Sequence, residues 1–246
     1  MRRQLLCPIV ALTLALLACN TLLPPRPEVD WDTDPQALVV SADTCCGMLY
    51  DPNGIPTARL WGDGRLIWVA VESSGARRVL TAALTTDQMK ALLQRFVDSG
   101  FFGWQDSYRP SYEVYDAPST CLHVALQSAS KSVCDLMGNA PAAFYELLDG
   151  LAAGLTETNY VPTRAYLQAN PVGSASLAPV LQWPADSLNL SLKDASQGVW
   201  VEGKTLEVAW RAVNERPYNA LVQEGDTFFS LVLLVPDVTR QQPPAP

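Results

Sequence analysis

The chain has 246 residues, a formal net charge of -8 and a hydrophobic content of 48%. This length and composition suffice for one or two ordinary hydrophobic cores. The acidic balance argues against nucleic acid and anionic lipid headgroups as partners, because both are bound through basic patches.

The N-terminal segment has the pattern of an export signal. Two arginines follow Met1, and the apolar run Leu5–Ala18 that comes next is too short to cross a bilayer comfortably. It ends in Leu16-Leu17-Ala18-Cys19, which resembles the lipobox of bacterial lipoproteins. The resemblance implies that residues 1–18 are removed as a signal peptide and that Cys19 is acylated, with palmitate as one expected lipid. The alternatives are an ordinary secretory signal cut near Ala18 and an uncleaved anchor.

Residues 19–37 are predicted to be an acidic, proline-rich tether. Four prolines and four acidic residues occur here with almost no apolar periodicity, so the segment lacks the surface to offset its chain entropy. At about 3.1 Å per residue, it would lift the next domain up to roughly 50 Å from the bilayer. Residues 241–246 are predicted to be a disordered tail. We therefore expect a protein lipid-anchored in the bacterial cell envelope and facing outside the cytoplasm.

Residues 38–156 are predicted to form an α+β domain, with an antiparallel sheet and two covering helices. The Gly62-Asp63-Gly64 turn between two extended runs is a strong hairpin signal. In the helix that follows the next strand, Thr85 and Gln88 have the spacing of a capping box. One face of this helix is apolar, through Met89, Leu92, Leu93, Phe96 and Val97.

A second hairpin and a second helix complete this domain. Thr120–Gln127 and Ser132–Met137 are the predicted hairpin strands. The helix is predicted to begin near Asn139, a favourable capping residue, with Pro141 in its first turn. The order is therefore strands and helix, then hairpin and helix.

Residues 157–240 are predicted to form a smaller all-β module. Its runs are punctuated by proline and glycine, and no helical period separates them. The module is long enough to fold alone, although its strands would equally extend the first sheet, and we place the boundary near Thr156. The predicted strands include Arg164–Gln168, Ser187–Leu192, Val199–Glu202, Lys204–Asn214 and Thr227–Val235.

Residues 45–155 carry a series of short motifs. They are Cys45-Cys46-Gly47, Trp61-Gly62-Asp63-Gly64-Arg65, Leu84-Thr85, Gly100-Phe101-Phe102, Asp106 with Tyr108, and Asp116-Ala117-Pro118. Their order resembles an uncharacterised domain family of exported bacterial proteins and lipoproteins. The resemblance covers under half of the chain and includes no catalytic motif. It implies a fold and an exported location, and no reaction.

Four cysteines remain once Cys7 leaves with the signal and Cys19 carries the lipid: Cys45, Cys46, Cys121 and Cys134. An exported location permits disulfides, and four cysteines allow three connectivities. We favour a link from Cys45 or Cys46 to the hairpin of Cys121 and Cys134, since a vicinal bond would be strained. A metal site with His123 is disfavoured, because Cys121-x-His123 lacks the usual spacing of zinc ligands.

Searches for catalytic motifs give little support for an enzyme. The sequence has no G-x-S-x-G elbow, no phosphate-binding glycine loop and no H-E-x-x-H. His123 is the single histidine and lies among strand residues, so we favour a structural role for it over that of a catalytic base. We expect no cofactor and no metal, and a non-catalytic protein.

The candidate binding surface lies between residues 104 and 116. Aromatic rings beside carboxylates suit contacts with proteins, peptides or sugars, and paired carboxylates also suit glycoside hydrolysis. A loop that only buries its rings against the sheet is the alternative. The residues of this surface are Trp104, Asp106, Tyr108, Tyr112, Glu113, Tyr115 and Asp116.

These features lead to three functional hypotheses. The first is a lipid-anchored, non-catalytic interaction module whose partner is an envelope protein or a glycan. The second is a hydrolase of envelope or extracellular glycan that uses carboxylates such as Asp106, Glu113 and Asp116. The third is a purely structural or inhibitor-like envelope protein.

Overall fold

A computed structural model describes residues 27–45, 54–72, 76–173, 179–215 and 220–245. The predicted signal peptide, Cys19, Cys46 and the side chain of Cys45 lie outside this part, so the predictions about them stay predictions. Within the described residues, thirteen strands form one sheet of eight and one of five, accompanied by four α-helices. The α+β class, with a covered sheet and a smaller second sheet, is confirmed.

Eight strands form the first sheet: β1 (Leu38–Cys45), β2 (Ala58–Trp61), β3 (Arg65–Val71), β4 (Arg77–Ala83), β5 (Ser107–Tyr108), β6 (Ser119–Ala125), β7 (Ser130–Leu136) and β8 (Thr158–Asn159). Their order across the sheet is β5-β7-β6-β1-β2-β3-β4-β8. Neighbours are antiparallel except for β5 and β7, which run parallel. The two predicted hairpins are β2–β3 and β6–β7.

Helix α1 (Thr86–Asp98) forms as its sequence predicts. The Gln88 backbone N–H donates to the Thr85 hydroxyl, and the Thr85 N–H donates to the Gln88 side chain, so both bonds of the capping box are present. All five residues of the predicted apolar face are buried. After the helix, Gly100 has a φ of 75°, the left-handed conformation that glycine adopts without strain.

Helix α2 (Ala142–Asp149) begins later than predicted, and Asn139 does not cap it. The Asn139 side-chain amide donates instead to the Leu136 carbonyl oxygen, at 2.6 Å. Pro141 directly precedes the helix. The Asn139 side chain thus stabilises the turn between β7 and α2 and does not cap the helix.

The first hydrophobic core lies between the two helices and one face of the first sheet. α1 contributes Phe96 and Leu93, α2 contributes Phe144, and β3 and β6 contribute Leu66 and Leu122. These side chains bury apolar surface of the two helices against the sheet, and this burial holds the helices on it.

Five strands form the second sheet: β9 (Arg164–Val172), β10 (Val180–Gln182), β11 (Val199–Glu202), β12 (Leu221–Glu224) and β13 (Thr227–Leu234). Their order is β10-β12-β13-β9-β11. Helices α3 (Ala185–Leu188) and α4 (Gly203–Asn214) accompany them. The described part of this region is therefore mixed rather than all-β.

Two strand predictions in this region are wrong. Lys204–Asn214 is part of α4, because its apolar residues also have a helical spacing and pack against β13 and the first sheet. Ser187–Leu192 holds the end of α3, and Asn189 has a φ of 50°, which breaks any extended run.

The second core joins the two sheets. It includes Trp61, Ile67 and Val79 from the first sheet together with Leu167 of β9 and Trp210 of α4. Since successive residues of a strand face opposite sides, Leu66 of β3 faces the helices and Ile67 faces the second module. Apart from β8, which pairs with β4 at the edge of the first sheet, the second module is thus a further layer on that sheet.

Part of the predicted tether packs against the body. Trp31 is buried, and its indole N–H donates to the Gly62 carbonyl oxygen at 3.1 Å. The Gln127 N–H donates to the Asp30 carbonyl oxygen at 2.8 Å, and the Ser128 hydroxyl donates to the Glu28 carbonyl oxygen at 3.3 Å. The prediction of a tether rested on the composition of the whole segment, and it overlooked that Trp31 could anchor the segment to the body. We call residues 28–34 the strap.

The predicted C-terminal tail also contacts the body through Gln242. The Asp237 N–H donates to its side-chain oxygen at 2.8 Å, and its amide donates to the Thr239 carbonyl at 2.7 Å. Among the described residues, no helix is long and apolar enough to span a membrane.

Candidate functional site

The candidate binding surface divides into a fixed base and an exposed loop. The base is residues 104–108. Trp104 packs edge-on against Phe101, with ring centroids 5.5 Å apart, and is half-buried against the first core. The phenol oxygen of Tyr108 accepts the Gln105 N–H at 3.3 Å, and its ring also packs against this core. For Trp104 and Tyr108, the alternative of rings that serve packing is correct.

Asp106 ties the base to β7. The Cys134 N–H donates to the Asp106 carbonyl oxygen at 2.9 Å, and the Lys131 ammonium forms an ion pair with the Asp106 carboxylate. The parallel pairing of β5 with β7 places Ser107 opposite Cys134 and Tyr108 opposite Asp135. The Asp106 carboxylate therefore has a lysine partner within the same sheet.

The exposed loop is residues 109–118. Tyr112 and Tyr115 are 64% and 76% exposed, although both are large rings. A side-chain hydrogen bond to Glu113 raises the pKa of Tyr115, because it stabilises the protonated phenol. Asp116 has a φ of 56°, a left-handed conformation that aspartate tolerates. The structure thus brings Glu113, Tyr115 and Tyr112 together on one exposed loop.

The loop and the strap lie at opposite ends of the first sheet. The loop leaves β5 beside the C-terminal end of β7 and re-enters at Ser119, the first residue of β6. The strap contacts Gln127 and Ser128, in the turn that joins β6 to β7 at the other end. A seven-residue strand such as β7 spans about 23 Å.

A disulfide joins Cys121 to Cys134, which corrects the connectivity that we favoured. The two residues face each other across the β6–β7 hairpin, with their Cα atoms 4.0 Å apart and their sulfurs 2.09 Å apart. The two cysteines lie directly opposite each other on adjacent antiparallel strands, which brings their sulfurs within bonding distance. The sequence showed only their separation along the chain. Cys45 is in register with Ser119, two residues from Cys121.

His123 lies in β6 between Ser41 of β1 and Ser132 of β7, half-buried within the sheet. In the part of the chain that the structure describes, no three metal-binding side chains lie close enough together to hold an ion.

Asp135 is a buried carboxylate that the sequence did not single out. It is 3% exposed and accepts backbone N–H groups from Gly138, Asn139 and Ala140 at 2.6–2.8 Å, together with the Tyr145 hydroxyl. Burial and this hydrogen bond raise the pKa of Tyr145 to about 12. Asp135 therefore holds the turn into α2, in place of the predicted asparagine cap.

A groove of about 450 Å³ lies between the β4–β8 edge of the first sheet and α4. Sequence reasoning missed it, because α4 was predicted as a strand. Its walls carry charges of both signs, with a buried amide and aromatic rings between them. The residues that define it are Glu72, Arg78, Tyr160, Glu207, Trp210, Arg211 and Asn214.

Comparison of the chain with protein-family models, curated proteins and solved structures finds no match. The resemblance of residues 45–155 to an uncharacterised exported family therefore stays a prediction.

Proposed function

We propose that this protein is a lipoprotein of the bacterial cell envelope, anchored through acyl chains on Cys19, and that it binds an envelope protein without catalysis. The observation that carries the binding part is the exposure of Tyr112 and Tyr115, at 64% and 76%, on one loop. Tyrosine is enriched at interfaces, because its ring buries apolar area while its hydroxyl still forms hydrogen bonds.

The fixed base of the loop supports this proposal. Trp104 and Tyr108 are packed against the core, and Asp106 is paired with Lys131. Anchoring the approach to an exposed loop lowers the conformational entropy that is lost on binding. The loop is thus suited to present its two rings to a partner surface.

The position of the loop supports a partner on the side away from the anchoring membrane. Pro27 is eight positions after Cys19, and such a proline-rich piece reaches about 25 Å when extended. The strap then holds the near end of the first sheet, whereas the loop lies at the far end. Because the segment between Cys19 and the strap is short and the strap is docked, Tyr112 and Tyr115 would face away from the membrane.

A protein partner agrees better with this surface than a glycan substrate does. Two of its four aromatic rings, Trp104 and Tyr108, are packed inward, and Asp106 is occupied by Lys131. Glu113 and Asp116 are exposed beside the two free rings, which suits a partner with basic groups at the rim of the contact. No specific observation favours the hydrolase hypothesis.

In-cell crosslinking of the full-length protein, followed by mass spectrometry, tests the binding part. We expect one dominant envelope protein, lost in a Tyr112→Ala, Tyr115→Ala variant and retained in the control Val71→Ala, which alters an exposed apolar residue elsewhere. Recovery of a glycan alone, or of a partner that the double variant retains, would overturn the proposed contact.

Labelling cells with a palmitate analogue tests the anchor separately. We expect label on the wild-type protein and none on a Cys19→Ser variant, together with release of that variant from the membrane fraction. Label that persists in the variant, or a protein that stays in the membrane fraction without it, would contradict lipidation at Cys19.

A further inference from the structure

The groove between the β4–β8 edge and α4 carries an inference that is independent of the loop and of the lipid. One wall comes from β4 and the residues around β8, and the other comes from α4. The volume of about 450 Å³ lies within the range of small-ligand sites. The loop 109–118 follows β5, which is the opposite edge strand of the same sheet.

The groove is lined by three arginines, Arg77 and Arg78 from β4 and Arg211 from α4, and the contacts of Arg78 and Arg211 leave part of their hydrogen-bonding capacity unused. The Arg78 guanidinium on β4 lies 3.6 Å from the Glu157 carboxylate and 3.3 Å from the Asn159 side-chain oxygen. Arg211 on α4 forms a half-exposed ion pair with Glu207, one turn away. A guanidinium has five N–H donors, so both arginines retain donors for a carboxylate.

A buried amide at the groove supplies the second observation. Asn214 is 2% exposed, and its Nδ2 donates to the Trp210 carbonyl at 3.4 Å. Its Oδ1 has no hydrogen-bond partner among the described residues. An unpaired buried carbonyl costs stability, and such groups in native proteins call for a specific explanation. A ligand N–H group would satisfy this oxygen.

The charges and rings of the groove decide between ligand classes. Glu72, Glu207 and Glu215 line it beside the arginines, which disfavours polyanions such as nucleic acid. Trp210 is only 5% exposed, and the Tyr160 ring covers it edge-on at 5.8 Å, so no open aromatic face is offered to a sugar. A peptide provides both a carboxylate and amide N–H groups.

We propose that this groove binds a short peptide with a free C-terminal carboxylate. Arg78 and Arg211 hold the carboxylate, and a peptide N–H donates to Oδ1 of Asn214. The site combines side chains of the first sheet with side chains of α4 in the second module. It therefore exists only when that module is docked on the first sheet.

Saturation-transfer NMR of the full-length protein in detergent, with a mixed pool of tripeptides, tests the proposal. We expect binding of the pool with free carboxyl ends and binding that is weaker by roughly tenfold or more for the same pool as C-terminal amides. Arg78→Gln or Arg211→Gln should weaken binding to a similar extent. The control Arg109→Gln, on the exposed loop, should leave it unchanged.

An Asn214→Leu variant separates a binding role from a structural one. Because leucine removes the unpaired oxygen at similar volume, we expect a higher thermal midpoint together with loss of peptide binding. A lower midpoint in this variant, with peptide binding intact, would mean that Asn214 serves the fold alone. Binding of cellobiose in place of the tripeptides, or no difference between the acid and amide pools, would overturn the peptide assignment.

Discussion

Asp135 illustrates how one carboxylate can define a local structure. It lies beneath the turn between β7 and α2 and accepts three backbone N–H groups and the hydroxyl of Tyr145. Such charge-assisted bonds are among the stronger hydrogen bonds in proteins, and this carboxylate is almost fully removed from water.

Replacement of Asp135 by alanine should therefore destabilise the protein. The three backbone donors and the Tyr145 hydroxyl would lose a buried acceptor, and we expect the free energy of unfolding to fall by about 2–4 kcal/mol. Urea denaturation measures this change. The control Asp149→Ala, at an exposed position in α2, should change it by less than about 0.5 kcal/mol. Equal effects of the two variants would contradict the role of Asp135.

The phenol of Tyr145 gives a pH-dependent prediction at the same place. Its pKa is raised from 10.0 to about 12 in the folded protein, so the folded state binds this proton more tightly than the unfolded state does. The stabilisation is complete below pH 10 and is lost as the pH rises toward 12. Subtracting the absorbance titration of a Tyr145→Phe variant from that of the wild type isolates this group. A difference curve centred on the ordinary tyrosine range would refute the prediction.

At the scale of elements, the strap is held by close contact with the β2–β3 hairpin. Trp31 donates to the Gly62 carbonyl, and the backbone of Asp32 and Asp34 lies directly over the glycine. A Cβ atom at Gly62 would overlap the carbonyl oxygen of Asp32. Because these are backbone atoms, they could make room for a Cβ at Gly62 only if the whole strap moved.

A Gly62→Ala variant should displace the strap from the hairpin. We expect faster proteolytic cleavage within residues 28–36 and a lower thermal midpoint, because Trp31 loses its buried site. Limited proteolysis with mass spectrometry locates the cleavage. Gly103→Ala is the matched control, since an added Cβ there meets nothing within 4 Å. Identical cleavage patterns in the two variants would show that the strap does not depend on this contact.

At the scale of the whole molecule, the second module is part of the fold of the first sheet. Trp61, Ile67 and Val79 are buried in the core that the two sheets share. Arg240 adds a polar link, since its Nε donates to the Asp43 carboxylate of β1 at 2.7 Å. Without the second module, these three apolar side chains would be exposed to water on one face of the sheet.

A shortened chain that ends at residue 156 should not fold as an independent domain. The exposed second face of the sheet would bind a hydrophobic dye, and the fragment should lack a cooperative thermal transition. Fluorescence and circular dichroism of the full chain should show one coincident transition. Removal of residues 243–246 alone is the control and should leave that transition unchanged. A cooperative, dye-free fragment would show that the two layers are separable.

The candidate binding surface was predicted only as a set of residues. The sequence placed rings and carboxylates together between residues 104 and 116, because they are neighbours along the chain. It did not separate the packed pair, Trp104 and Tyr108, from the exposed pair, Tyr112 and Tyr115, since burial depends on β5 pairing with β7. The sequence could not predict the groove, because only tertiary packing brings Arg78 and Arg211 to the same site.

The sequence by itself determined the features that depend on short stretches of chain. The capping box of α1, its apolar face, the β2–β3 turn and the α+β class all follow from residues a few positions apart. The tertiary structure decided whatever required distant partners. Residues 204–214 carry apolar side chains at both strand and helix spacing, and packing against β13 and the first sheet selected the helix. Trp31 and the Cys121–Cys134 pair likewise acquired their roles only when strands brought their partners alongside.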